Sequence, residues 1–141
     1  MTSSDDGPGS GMGGRRPRDG GPGTVARALV EAALSGDFEA ARSYCTPDII
    51  LTLEGSQTVR GHEGLRQIME FNAEVASDVV LQIHHVLGSG NTAALNRTTR
   101  LTVGGKRLRV EVGSFFTLRD GLVAEWTDYQ DMQNVWRALG H

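Results

Sequence analysis

From residue 78 to residue 130 the chain leaves little room for anything but strands. "VVLQIHHVL" is followed by a turn at "GSGN", and then come "TAALNRTTRLTV", "GG", "RLRVEVGSFFTL", "DG" and "LVAEWTDYQ". Gly-Gly and Asp-Gly tolerate the positive φ angles of two-residue turns, so each joins two antiparallel strands. The segment predicts a four-strand antiparallel meander. A period of two then sorts each strand by face. Residues 108–118 send Leu108, Val110, Val112, Ser114, Phe116 and Leu118 to one side, and Arg109, Glu111, Phe115 and Thr117 to the other. Residues 122–130 send Leu122, Ala124, Trp126, Asp128 and Gln130 inward. Residues 79–87 send Val79, Leu81, Ile83, His85 and Leu87 inward, although the opposite set is nearly as apolar.

The preceding part reads differently. Thr24 is an expected N-cap for a helix to about residue 35, with Ala26, Leu29, Val30, Ala33 and Leu34 at helical spacing. Gly36 stops it, and Asp37 caps a short second helix through Tyr44. "DIILTLE" (48–54) alternates as a strand with Ile49, Leu51 and Leu53 on one side. After Gly61 a third helix carries the stripe Leu65, Ile68, Met69, Asn72 and Val75, and a short helix around 131–138 closes the chain. Helices followed by a meander predict an α+β fold, with the helices packed on one face of a strongly curved, mostly antiparallel sheet.

Residues 1–23 stand apart. They hold eight of the 19 glycines and three of the four prolines, and no apolar run. Such a segment cannot bury enough surface to offset its ordering entropy. The expected organisation is a Gly/Pro-rich disordered tail over 1–23 and one domain over 24–141.

Within the meander one residue breaks the pattern. Arg97 falls on the apolar set of its strand, with Leu95, Thr99, Leu101 and Val103. A guanidinium keeps its charge, so burial without a partner would be very costly. Asp128 is an anion at an inward position of the same sheet, and the two are expected to pair. A buried pair seldom stabilises a fold better than apolar residues of equal volume. It is therefore either a structural ion pair or the polar centre of a pocket. In a pocket, Arg97 would polarise a ligand oxygen and Asp128 would exchange a proton.

Other features exclude function classes. The formal net charge of −3 gives no reason to expect a nucleic-acid partner, and the "RRPR" run at 15–18 reads as a solvated charge cluster. Gly9, Gly11 and Gly14 match G-x-G-x-x-G spacing, but no strand or helix flanks them. No stretch approaches the roughly 20 apolar residues of a membrane span, and residues 1–23 lack the apolar core of a signal peptide. With Cys45 as the single cysteine, no intramolecular disulfide can form, and a cytoplasmic location is expected. His84 and His85 are neighbours on a strand and are expected on opposite faces, so no metal site is expected and no cofactor is implied.

The order of elements, Arg97 in "NRTT", the strand "VEVGSFFTL" and above all "DGLVAEWTDYQD" resemble the NTF2-like superfamily over about residues 24–138. The likeness is strongest to its SnoaL-like polyketide cyclase and limonene-epoxide-hydrolase branches. The resemblance implies a cone of helices and curved sheet around an apolar pocket. In limonene epoxide hydrolase an Asp–Arg–Asp triad activates water, helped by a tyrosine and an asparagine. Arg97 matches the family's arginine and Asp128 its second aspartate. Thr99 stands at the first aspartate, and Leu51 and Leu53 at the water-positioning tyrosine and asparagine.

The resemblance thus implies a cofactor-independent cyclase of antibiotic biosynthesis, of the indanomycin type, that confines a large hydrophobic polyketide-type intermediate. Arg97 and Asp128 would be catalytic. The expected wall is Tyr44, Leu51, Leu53, Met69, His85, Thr99, Val110, Val112, Ser114, Phe116, Trp126 and Gln130; Tyr44 and His85 each have simple packing as an alternative. An epoxide hydrolase or epoxide-opening cyclase, and a non-catalytic ligand-binding or dimerisation module, stay open. Phe115, Val123 and Tyr129 on the outward set predict a homodimer through the outer sheet face.

Overall fold

The computed structural model describes residues 21–130 and 133–140. Helix α1 (Pro22–Ser35) begins at a proline, whose missing N–H is harmless in a first turn, and ends at Gly36 with φ 83°. Its N-cap is Gly21, not Thr24. Residues 22 and 23 therefore belong to the fold, and the close approach of Gly23 to Gly88 docks the start of α1 on the sheet. Residues 1–20 of the expected tail lie outside the described residues. Helix α2 (Phe38–Ser43) is capped as expected, the Asp37 side chain accepting from the Ala40 N–H at 3.0 Å.

Six strands follow: β1 (Cys45–Leu53), β2 (Gln57–Arg60), β3 (Ala76–Ser89), β4 (Thr92–Val103), β5 (Lys106–Arg119) and β6 (Leu122–Gln130). Helix α3 (Gly61–Val75) separates β2 from β3, and α4 (Gln133–Ala138) follows β6. They form one curled, unclosed sheet in the order β2-β1-β6-β5-β4-β3, with β1 and β6 parallel and every other pair antiparallel. The expected meander is β3 to β6. Gly104 and Gly105 (φ 59° and 79°) and Asp120 and Gly121 (φ 54° and 81°) form its two tight turns.

Three irregularities move residues off their expected faces. In β3 the register slips between Ile83, opposite Arg97, and His85, opposite Asn96. One extra residue flips every side chain beyond it. Leu81, Ile83 and Val86 consequently pack on the core, while His85 points outward and Leu87 is 69% exposed. A second slip between Ser77 and Val80, with Asp78 at φ 51°, leaves Val79 partly exposed near the α3–β3 junction. The third lies in β6: Thr117 faces Glu125 but Leu118 faces Val123. Ala124 is the extra residue, and Val123 is fully buried instead of facing outward.

Helices α1 and α3 cover the concave face. Ala26, Leu29 and Val30 of α1 and Leu65 and Ile68 of α3 join Ile49, Leu51, Leu95, Phe116 and Trp126 in one core. Each fully buried leucine or isoleucine contributes roughly 1.5–3 kcal/mol over an exposed one. Helix α3 lies so close to β2 that a Cβ on Gly64 would stand 2.9 Å from Val59.

Candidate functional site

Between the helices and the concave face lies a cavity of about 460 Å³. Strands β4, β5 and β6 are adjacent, and their register builds its polar centre. Ser114 on β5 stands opposite Asp128 on β6, while Arg97 on β4 faces Val112 on β5, which in turn faces Gln130. Arg97 and Asp128 therefore meet diagonally across β5. Arg97 Nη2 donates to Asp128 Oδ2 at 2.9 Å, and the side chains are each 5% exposed. Asp128 Oδ1 accepts from Ser114 Oγ and from Trp126 Nε1, both at 2.6 Å. Arg97 Nη1 donates to Thr99 Oγ1 at 2.8 Å, whereas Nε has no acceptor among the described residues.

The pair is thus fixed from several directions in a buried setting. Removing one member of such a pair leaves a buried charge uncompensated, at a cost of about 3–5 kcal/mol. The surroundings are mainly apolar. Parallel pairing of β1 with β6 sets Leu51 beside Trp126 and Leu53 beside Asp128. Val110, Val112, Met69 and Ile68 complete the wall near the pair, and Leu101, Val79 and Phe71 continue it along the cavity. An arrangement like this can bind an apolar molecule, polarise one of its oxygens and accept a hydrogen bond on the Asp128 carboxylate.

Of the expected wall residues, Leu51, Leu53, Met69, Thr99, Val110, Val112, Trp126 and Gln130 line the cavity with Arg97 and Asp128. Four do not. Ser114 is fully buried behind the pair, where it holds Asp128. Phe116 packs against Trp126, ring centroids 5.6 Å apart, within the core. Tyr44 is the C-cap of α2, and its carbonyl accepts from the Val123 N–H at 2.8 Å. His85 lies on the outer face, its Nδ1 3.1 Å from Asn96 Oδ1.

His84 also lies outward, within 2.7 Å of Thr98 Oγ1, so the two histidines do not take opposite faces; the β3 slip between them is the cause. Phe71 and Ala33 were not expected in the wall. Neither sits on an alternating strand, and only the packing angle of a helix decides which flank meets a cavity.

Burial and hydrogen bonding move the titration of Cys45, Glu111 and Asp48. Burial pushes the Cys45 thiol from its ordinary 9.0 to about 12, which removes it as a nucleophile. On the outer surface the Thr98 hydroxyl, with Arg109, holds Glu111 below the usual carboxylate range. A hydrogen bond from Arg119 does the same for Asp48. Among the described residues no group of three His, Cys, Asp or Glu side chains could hold a metal ion. No described helix is long and apolar enough to cross a membrane.

The SnoaL-like domain family matches residues 26–126. The epoxide hydrolase EphG of Mycobacterium tuberculosis is 24% identical over 113 residues, which cover 79% of this chain and 74% of that protein. Many solved structures share the fold. An NTF2-like protein of unknown function from Burkholderia pseudomallei superposes with a TM-score of 0.76 at 17% identity, over 84% of this chain and 96% of its own. A putative SnoaL-like polyketide cyclase from Jannaschia sp. CCS1 also gives 0.76 at 17% identity, over 89% and 96%. The α+β cone is of the NTF2-like kind.

Proposed function

The chain belongs to the SnoaL-like domain family, and from that membership and the chemistry of its cavity we propose a cofactor-independent cyclase. Its substrate is a large hydrophobic polyketide-type intermediate of secondary-metabolite biosynthesis. The observation that carries this reading is the buried Arg97–Asp128 pair in a cavity wall that is mainly apolar, its other polar groups including Thr99, Gln130, Asn72 and Asp78. Confinement holds the flexible chain with its reacting atoms in contact, which replaces an improbable encounter by a preformed one. Arg97 and its partners polarise an oxygen of the substrate, and Asp128 accepts its proton or hydrogen bond.

A hydrolase reading is favoured by the likeness to EphG. Against it stand Leu51 and Leu53, which cannot hydrogen-bond a water as a tyrosine and an asparagine can, and Thr99, whose neutral hydroxyl cannot take a proton from a water as an aspartate can. A cavity that merely binds its ligand keeps the same walls without turnover. Assembly is part of the proposal: Phe115 and Tyr129, 54% and 49% exposed, stack edge-to-face on the outer sheet and form the centre of a homodimer contact.

The test is turnover of the ring-open polyketide-type substrate by Asp128→Asn, which keeps the side chain's shape. A fall of about 10²–10⁴-fold, typical of a lost general acid–base group, is expected while a hydrophobic ligand still binds. A loss below about tenfold would leave confinement as the main contribution, and bulky replacements of Leu51 or Val112 would then cost more. Full activity in all three variants would place the reaction elsewhere.

A further inference from the structure

Thr99 carries a donor that the protein itself does not use. Its Oγ1 accepts from Arg97 Nη1 at 2.8 Å, and an arginine has no acceptor to offer in return. The Thr99 proton must therefore point elsewhere. The residues paired with Thr99 on either side are Leu81 of β3 and Val110 of β5, neither with a polar side-chain atom. No acceptor for the hydroxyl occurs among the described residues, yet Thr99 is 6% exposed and lines the cavity. A buried donor without an acceptor costs roughly 1–3 kcal/mol, and a ligand oxygen removes that cost.

The charge-assisted bond from Arg97 also draws density from Oγ1, which makes its O–H a better donor. Arg97 and Asp128 cancel in charge. An anion placed at Thr99 would meet Asp128, and a cation would meet Arg97, so the site suits a neutral acceptor.

We propose that Thr99 is a substrate-positioning residue whose hydroxyl donates a hydrogen bond to a neutral carbonyl oxygen of an apolar ligand. This rests on the reading of the cavity as a binding site for an apolar substrate, but it concerns binding and not turnover. The ligand lies with its carbonyl at Thr99 and its apolar remainder along Leu53, Met69 and Val110.

The probe is 2-decanone labelled with ¹³C at the carbonyl, read by infrared difference spectroscopy and by calorimetry, with n-decane as the control. In the wild-type protein the carbonyl band is expected below its position in hexane. Thr99→Ser, which keeps the hydroxyl, should preserve that shift. Thr99→Val should abolish it and weaken ketone binding about 2- to 12-fold, the equivalent of one net hydrogen bond, with n-decane binding unchanged. A wild-type band at the hexane position, readable even if the valine variant fails to fold, would overturn the proposal. So would an identical shift in Thr99→Val. If neither the ketone nor n-decane binds, the apolar-pocket reading fails and this one with it; if both bind but the band does not move, only this one fails.

Discussion

At the scale of single residues the site is a competition between desolvation and pairing. Asp128 accepts from Arg97, Ser114 and Trp126, so its position is set by three side chains on β4, β5 and β6 as well as by its own backbone. That rigidity suits a group that must meet a substrate oxygen at a fixed distance, because a misplacement of about 1 Å can cost a hundredfold. Cys45 shows the opposite use of burial. Only 3% exposed, with its thiol raised to about 12, it is held neutral by desolvation. A thiol raised from 9.0 in the folded state favours folding below pH 9 and loses that contribution as the pH climbs toward 12. Iodoacetamide at pH 8 should therefore leave the native thiol unmodified for hours and react with it once urea unfolds the chain. Alkylation of the native protein at the rate of an exposed cysteine would contradict this.

At the scale of elements, turns and bulges decide what faces the cavity. Gly104 and Gly105 share a turn but not an environment. A Cβ on Gly104 would stand 2.5 Å from the Ala138 carbonyl oxygen, whereas one on Gly105 would meet nothing within 4 Å. Both sit at positive φ, which costs an L-residue roughly 1–2 kcal/mol. Gly105→Ala should lose about that much stability in urea titration, and Gly104→Ala clearly more, because its clash is with backbone; equal losses would show that α4 does not hold its place.

The same elements mark what a sequence can disclose. The two hairpins and Asp37 as a cap were legible because each follows from local φ preferences or a local hydrogen bond. Arg97 and Asp128 were legible because a charge on an apolar alternating face demands an opposite charge within reach, and the meander offers few. His85 and Val123 were misplaced because one extra residue in β3 or β6 inverts all that follows, and nothing local announces it. Strand β2, four residues long, is too short to show alternation and forms only because β1 offers it an edge.

At the scale of the whole molecule, the cone leaves two surfaces to account for, the cavity inside and the sheet outside. The outer face presents Phe115 and Tyr129 among Arg109, Glu111 and Glu125, apolar at the centre with charges of both signs around it. In the proposed homodimer a two-fold axis would set this patch against its own copy. Light scattering at micromolar concentration should give about twice the 15.1 kDa chain mass, and a monomer would contradict the contact.

The cavity poses the larger question, whether its chemistry adds water or only rearranges bonds. With Leu51 beside Trp126 and Leu53 beside Asp128, the carboxylate has no side-chain partner there to hold a water against a substrate carbon. The most direct measurement is the mass and isotope content of the product formed in ¹⁸O-labelled water. A product isomeric with its substrate and free of label is predicted, together with no diol from limonene oxide. A product heavier by one water and carrying ¹⁸O, or labelled diol from the epoxide, would contradict the account and make the chain a hydrolase.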